Sequence, residues 1–167
     1  MQEATYWIEK LGLTAHPEGG YFRETYRATE CIATDALPER FPGARSFSTA
    51  IYFLLRQSEI STFHRIRSDE IWFWHAGGAL TIFMIAPDGA LTEQRLGANP
   101  ENNELFQVVV PAGAWFAARP DADTEFVLVS CTVAPGFDFT DFEMVTRTKL
   151  TAQFPQHGNV IAALTLK

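Results

Sequence analysis

The sequence is short of cysteine, of long apolar runs and of positive charge, and each shortage removes a class of protein. Its 167 residues include two cysteines, Cys31 and Cys131, far apart in the chain. Two lone thiols without close spacing make neither a disulfide framework nor a zinc site. Cys131, inside the apolar run "EFVLVSCTV", reads as a buried thiol. No stretch reaches the ~18 uninterrupted apolar residues that a membrane span requires. The net charge of −7 argues against a general nucleic-acid binder, which carries a basic surface. "PEGGYF" and "HAGGAL" lack the lysine and following helix of a phosphate loop. No serine or cysteine sits in a nucleophile elbow. "APGFDFTDFE" (134–143) lacks the alternating oxygen ligands of a calcium loop and reads as a packed loop over one end of the fold. The opening "MQEATYWIEKLGLT" has early acidic residues and no long apolar stretch. No secretory signal is therefore expected, and the expected compartment is the cytoplasm.

What the chain does have is apolar and aromatic bulk: 47% hydrophobic residues, 13% aromatic, with 14 Phe. That is core-forming material, and the length predicts a single domain over 1–167. "TYWIEKL" (5–11) places Trp7 and Leu11 one helical turn apart, with Gly12 as a stop. "HPEGG" is a turn, in which His16 shapes the backbone rather than serving chemistry. Nine short segments rich in β-branched and aromatic residues follow, at 21–28, 46–55, 61–66, 70–76, 79–86, 90–96, 105–111, 114–119 and 125–133. "APDGA" is a tight hairpin between two of them, and "GANPENNE" (97–104) is an exposed loop. The segments 146–154 and 158–166 allow two short helices broken at Pro155. The expected fold is all-β: a closed or sandwiched antiparallel barrel with short helices at both ends. Several strands are apolar on both faces, so the outer face needs a cover, and a homodimer is the economical one.

"TFHRIRSDEIWFWHAGG" (62–78) carries the chemistry. On a strand, Glu70, Trp72 and Trp74 share one face and Ile71, Phe73 and His75 the other, so His75 cannot join Glu70. The segment resembles the first motif of cupin barrels, aligned on Ser58, His64, Ile66, Glu70 and Gly77. The second cupin motif aligns on Leu105, Pro111, Gly113, Phe116 and Pro120. Of four metal-ligand positions, His64 and Glu70 persist, while Ile66 and Phe116 cannot bind a metal. Along nearly the whole chain, "HPEGGYFRETYR" (16–27), "IYFLL" (51–55), "FHRIRSDEIW" (63–72), "VVPAGAWFAA" (109–118) and "CTVAPGFDFTDFE" (131–143) are similar to the Cupin_5 family. That resemblance implies a jelly-roll double-stranded β-barrel and a dimer, and leaves the reaction open. The family pattern has a His directly after the Trp of "DEIW", where this chain has Phe73.

"EGGYFRE" (18–24) and "STFH" (61–64) also echo cupin-like sugar-nucleotide epimerases, which use a His base without a metal; the Arg preceding that His is here Ser61. The resulting expectation is a barrel that binds a small polar, sugar-like or nucleotide-sugar ligand. His64 acts as base and Glu70 orients it, in a metal-free isomerase or epimerase. Tyr21 and Arg23 are candidate ligand contacts, Arg23 for an anionic group. Trp72, Gln107 and Phe116 complete an apolar pocket with a few polar groups. Three alternatives stay open: a binding module without turnover, a buried His64–Glu70 pair that only satisfies itself, and a metal enzyme with a reduced ligand set at His64 and Glu70. The expected partners are a small molecule and a second copy of the chain, without nucleic acid, membrane or cofactor.

Overall fold

The computed structural model describes residues 3–165. The chain opens with α1 (Ala4–Leu11), β1 (Thr14–Ala15), β2 (Tyr21–Arg27), β3 (Cys31–Ile32), β4 (Arg45–Ser46), β5 (Thr49–Arg56), β6 (Ser61–Arg65) and β7 (Asp69–Gly77). It continues through β8 (Leu80–Ile85), β9 (Leu91–Leu96), β10 (Glu104–Leu105), β11 (Gln107–Val110), β12 (Trp115–Pro120), β13 (Phe126–Ala134) and β14 (Glu143–Met144). It ends with α2 (Arg147–Gln153) and α3 (Gly158–Ala163). Each of the nine expected strands has its counterpart. The five further strands have two residues each, too few for any side-chain period to show. The last position of the expected final helix, residue 166, lies outside the described residues.

The strands form two six-stranded sheets, in the orders β1-β2-β5-β13-β7-β11 and β10-β9-β8-β12-β6-β14, beside the small pair β3-β4. Of the closed and sandwiched arrangements expected, the sandwich is the one observed. Pairing is antiparallel except between β9 and β10. Strand parity builds the layers. Phe53, Leu55, Trp72, Val108, Val127 and Val129 of the first sheet meet Leu80, Ile82, Met84, Leu96, Phe116 and Ala118 of the second in one buried cluster. The alternate residues of the second sheet, Phe63, Phe83, Ile85 and Trp115, pack beneath Leu150, Phe154, Ile161 and Leu164 of the C-terminal segment. Those of the first, Leu54, Phe126 and Leu128, pack beneath Trp7, Ile8 and Leu11 of α1. So strands apolar on both faces are covered by the chain's own helices over part of their outer surface.

Beyond the α1 cluster, on the first sheet's outer face, Ile71 and Phe73 are half-buried and Val109 is exposed; this is the face that the expected second copy would cover. His75 lies on it, with its Nε2 2.8 Å from Ser130 Oγ. A bulge does interrupt β7 at His75, but the ring stays on the outer side. No helix among the described residues is long and apolar enough to cross a membrane.

Candidate functional site

Two β-bulges and one glycine turn position the site. In β6, His64 pairs with Phe116 and Ser61 with Ala118, so Thr62 and Phe63 together face the single residue Ala117. The extra residue lets Phe63 pack outward under α3 while Ser61 and His64, three apart, both turn to one carboxylate. Ser61 Oγ donates to Glu18 Oε1 at 2.7 Å, and His64 Nε2 lies 3.1 Å from Glu18 Oε2. The second bulge is at Thr25 of β2, where Glu24 pairs with Ile51 and Tyr26 with Ala50. It brings Glu24 and Arg27 to the same side, where they bond at 3.0 and 2.7 Å.

Glu18 comes from the "HPEGG" turn. Gly19 has φ +111, and a Cβ there would sit 2.1 Å from the Ile60 carbonyl, so only glycine lets the turn press against the start of β6. The Thr62 N–H donates to the Glu18 carbonyl at 2.9 Å and completes the clasp. The turn also carries His16, whose Nδ1 accepts from the Glu18 N–H at 3.2 Å and stands 3.5 Å from Glu18 Oε2. His16 shapes the turn as expected, and its ring also borders the same cavity as Glu18.

That cavity, of about 70 Å3, lies between the sheets at one end of the sandwich. His16, Glu18, His64, Glu70 and Cys131 border it among apolar walls that include Phe22, Ile66 and Trp72. Phe137, Phe139 and Phe142, from the segment after β13, form its roof. The His64 ring is held between Phe116 and Phe142, with centroids 4.0 and 5.3 Å away. Its Nδ1 lies 2.7 Å from the Thr62 carbonyl. A carbonyl only accepts, so Nδ1 carries a proton and Nε2 is the basic atom facing Glu18.

Burial dominates the titration of the cluster. It pushes the Glu18 carboxyl up to about 6, against the opposing pull of His16 and the Ser61 hydroxyl. It pushes Glu70 up to about 7, with His64 opposing. It lowers both imidazoles; the Thr62 carbonyl and Glu70 act the other way on His64, and Glu18 on His16. The Cys131 thiol is raised by burial and then by Glu70. Burial thus favours the neutral imidazole at His64, and the Glu18 carboxyl beside its Nε2 exchanges its proton at about pH 6. The buried indole N–H of Trp72, in the wall beside Glu70, opposes that carboxyl's upward shift, although it lies outside full hydrogen-bond geometry among the described residues.

His64, Glu70 and Trp72 come together in this cavity as the sequence suggests. No ion pair joins His64 to Glu70; the direct partner of the imidazole is Glu18. Four expected ligand contacts lie elsewhere. Tyr21 packs outward in the α1 cluster and accepts from Arg56. Arg23 is exposed on the outer face of β2 near Gly12, and the cation at the cavity is instead Arg27. Gln107 points outward opposite Phe73, because Val108 and Val110 take the inward positions of β11. Phe116 is fully buried behind His64 and does not border the cavity.

The donor set does not suit a metal. Ile66 and Phe116 fill two of the four cupin ligand positions, and both nitrogens of His64 already face other groups. Among the described residues no three His, Cys, Asp or Glu side chains are grouped to hold an ion.

Comparison with known proteins agrees with this architecture. The Cupin_5 model, described as Cupin superfamily (DUF985), matches residues 5–145. An uncharacterized protein of Saccharomyces cerevisiae is 34% identical over 143 residues, covering 80% of this chain and 71% of the yeast protein. A crystal structure from Shewanella oneidensis is 41% identical, covers 99% of both chains and superposes with a TM-score of 0.89. A hypothetical protein from Leishmania major is 35% identical, with 99% and 100% of the chains covered and a TM-score of 0.91. Oxalate decarboxylase from Bacillus subtilis, at 14% identity and TM-score 0.55 over 90% of this chain and 36% of its own, shares the fold alone.

Proposed function

The chain belongs to the Cupin_5 family of the cupin superfamily, and from that premise we propose that its cavity binds a small polar, sugar-like ligand and moves a proton on it without a metal, as an isomerase or epimerase. The observation that supports this reading is the pairing of His64 Nε2 with Glu18 Oε2 at 3.1 Å inside an aromatic enclosure. The Thr62 carbonyl fixes the tautomer, so one nitrogen is left to act. A ligand that enters between the pair meets a neutral imidazole as base. Glu18, near 6, receives or returns the proton, and Glu70, near 7, is a second carboxyl able to act as acid at neutral pH. The ring walls exclude water and strengthen each of these interactions. Glu18 takes the orienting role that the sequence alone assigns to Glu70.

The test is solvent-hydrogen exchange. The protein is incubated in D2O with hexoses, hexose phosphates and sugar nucleotides, and deuterium incorporation is read by mass spectrometry. Exchange into at least one compound is expected, falling about 100-fold or more in His64→Asn. Exchange that is unchanged by His64→Asn removes the assignment. A second reading, a binding module without turnover, is favoured by the way Ser61 and His64 take up the Glu18 carboxyl while His16 Nδ1 accepts from its backbone N–H. It predicts saturable binding of a sugar with no deuterium uptake by any compound bound. A metal-dependent enzyme with a reduced ligand set has no support from the donor geometry.

A further inference from the structure

A second recess lies directly behind the wall of the first. Ile66 and Phe142 border both the His64 cavity and an outer groove of about 470 Å3. One aromatic ring, Phe142, with its centroid 5.3 Å from that of His64, separates the two.

The groove sets three arginines against two acids in a chain whose net charge is −7. Arg40, Arg65 and Arg67 border it, with Asp141 and Glu143. Glu143 is matched to Arg65 at 2.7 Å. Asp141 is already committed: both of its oxygens accept from the buried Arg45, each at 2.7 Å. Arg67 reaches Asp141 only edgewise, through Nε at 3.3 Å. Arg40 has no carboxylate partner among the described residues; its Nε donates to the Arg67 carbonyl at 2.7 Å, and Arg67 Nη1 donates back to the Arg40 carbonyl. This mutual clasp ties each arginine to the other's backbone and leaves the Nη groups of Arg40 and the Nη2 of Arg67 without a hydrogen bond among the described residues, free to meet an anion. Two guanidinium forks around an open groove suit the several oxygens of a phosphate.

We propose that the groove is a phosphate subsite, and that the ligand of the adjoining cavity is a phosphorylated sugar whose phosphate lies on Arg40 and Arg67 while its uncharged end passes Phe142 toward His64. The second half of this statement rests on the cavity reading above; the phosphate subsite stands without it. The shared wall selects a small molecule, because a phosphate bound here lies one ring away from the buried acid–base pair. Arg23, the anion contact suggested by sequence, is replaced in this role by arginines that flank His64 in the fold.

Inorganic pyrophosphate is the probe. It is titrated into the full chain, and backbone and arginine side-chain resonances are followed by 1H–15N NMR. Saturable shifts are expected at Arg40, Arg67 and the 112–113 turn, with affinity about tenfold weaker or worse in Arg40→Ser/Arg67→Ser. Both side chains are exposed, so the variant should keep its thermal midpoint; Arg40→Gln serves as a milder second variant. Shifts that never saturate, that lie away from the groove, or that persist unchanged in both variants overturn the subsite. Pyrophosphate binding retained in His64→Asn, with no deuterium uptake in the wild type, keeps the subsite and defeats only the isomerase reading. Deuterium exchange that shows no preference for phosphorylated over plain sugars, unaltered in the double variant, overturns the claim that the cavity's ligand places its phosphate in the groove.

Discussion

The two ends of the sandwich share β5 and β13 and differ in what those strands point inward. At one end Leu55, Leu80, Ile82, Leu96, Val127 and Val129 meet with no exposed surface at all. Moving along β13 the inward series changes from Val127 and Val129 to Cys131 and Val133; along β5 it changes from Leu55 and Phe53 to Ile51 and Thr49. At that second end the space is incompletely filled, and the buried surface is titratable. The packed end needs no hydrogen bonds and holds the sheets together through dispersion and exclusion of water. The cavity end places two carboxyls and two imidazoles in a low-dielectric space, at a cost that shows as displaced titration. Close apolar packing is therefore concentrated at one end of the sandwich and buried titratable groups at the other.

The comparison breaks most readily at the packed end. Ile82→Ala should destabilise the fold by about 2–5 kcal/mol in urea unfolding, since a fully buried side chain leaves a void that its neighbours cannot close. The same truncation at Ile51, which already borders empty space, should cost roughly half as much or less; equal losses would erase the distinction between the ends. Next in size is Glu70→Gln. The folded state holds the Glu70 proton up to about pH 7, whereas an ordinary glutamic acid releases it near 4.5. The native advantage is thus complete below 4.5 and is lost as the pH rises through 7. Removing the charge should stabilise the protein by about 2–3 kcal/mol at pH 8 and leave it little changed at pH 4. Unfolding curves at the two pH values give the answer, and a gain of equal size at both would show that packing, not ionisation, is responsible.

The nine longer strands and all three helices were legible because each carries its own local pattern. His64, Glu70 and Trp72 were legible as a set because strand parity and cupin spacing agree on them. Arg23 lies outside with Tyr21 by ordinary alternation, because Phe22 and Glu24 take the cavity side, and parity fails only beyond the bulge at Thr25, which brings Arg27 rather than Tyr26 to the cavity. Nothing in "YFRETYR" marks it. Glu18 was missed for a different reason. The two glycines announce a turn, but the partner that gives its carboxyl meaning, Ser61, is 43 residues away. The available signal was the epimerase-like string "EGGYFRE", which begins at Glu18 itself. Gln107 shows the opposite error, a polar residue assigned to the pocket although its neighbours Val108 and Val110 are the ones that face inward.

Smaller effects sharpen the comparison within the cavity end. Ser61→Ala removes the hydroxyl that donates to Glu18 and opposes its upward shift. It should cost about 1 kcal/mol. It should also move the Glu18 titration further up, readable by carboxyl-carbon NMR; an unmoved or lowered titration would mean that the hydroxyl does not serve the carboxylate. The smallest effect belongs to the rim. Arg27 and Glu24 pair at 2.7 Å but keep 42% and 39% of their side-chain surface. Exposed pairs contribute roughly 0–1 kcal/mol and weaken in salt. Arg27→Gln should therefore shift stability by less than about 1 kcal/mol, with the difference vanishing at high salt. Arg27 also donates to the Phe137 carbonyl at 3.0 Å, so it ties the aromatic roof to β2. If that tie matters, the variant exchanges the amide hydrogens of 137–142 faster than wild type while its global unfolding is unchanged. Unaltered exchange there would make Arg27 a solvated charge and leave the roof to its rings, the Phe137 N–H bond to Thr49 Oγ1 and the bonds of the buried Arg45 to Thr140 and Asp141.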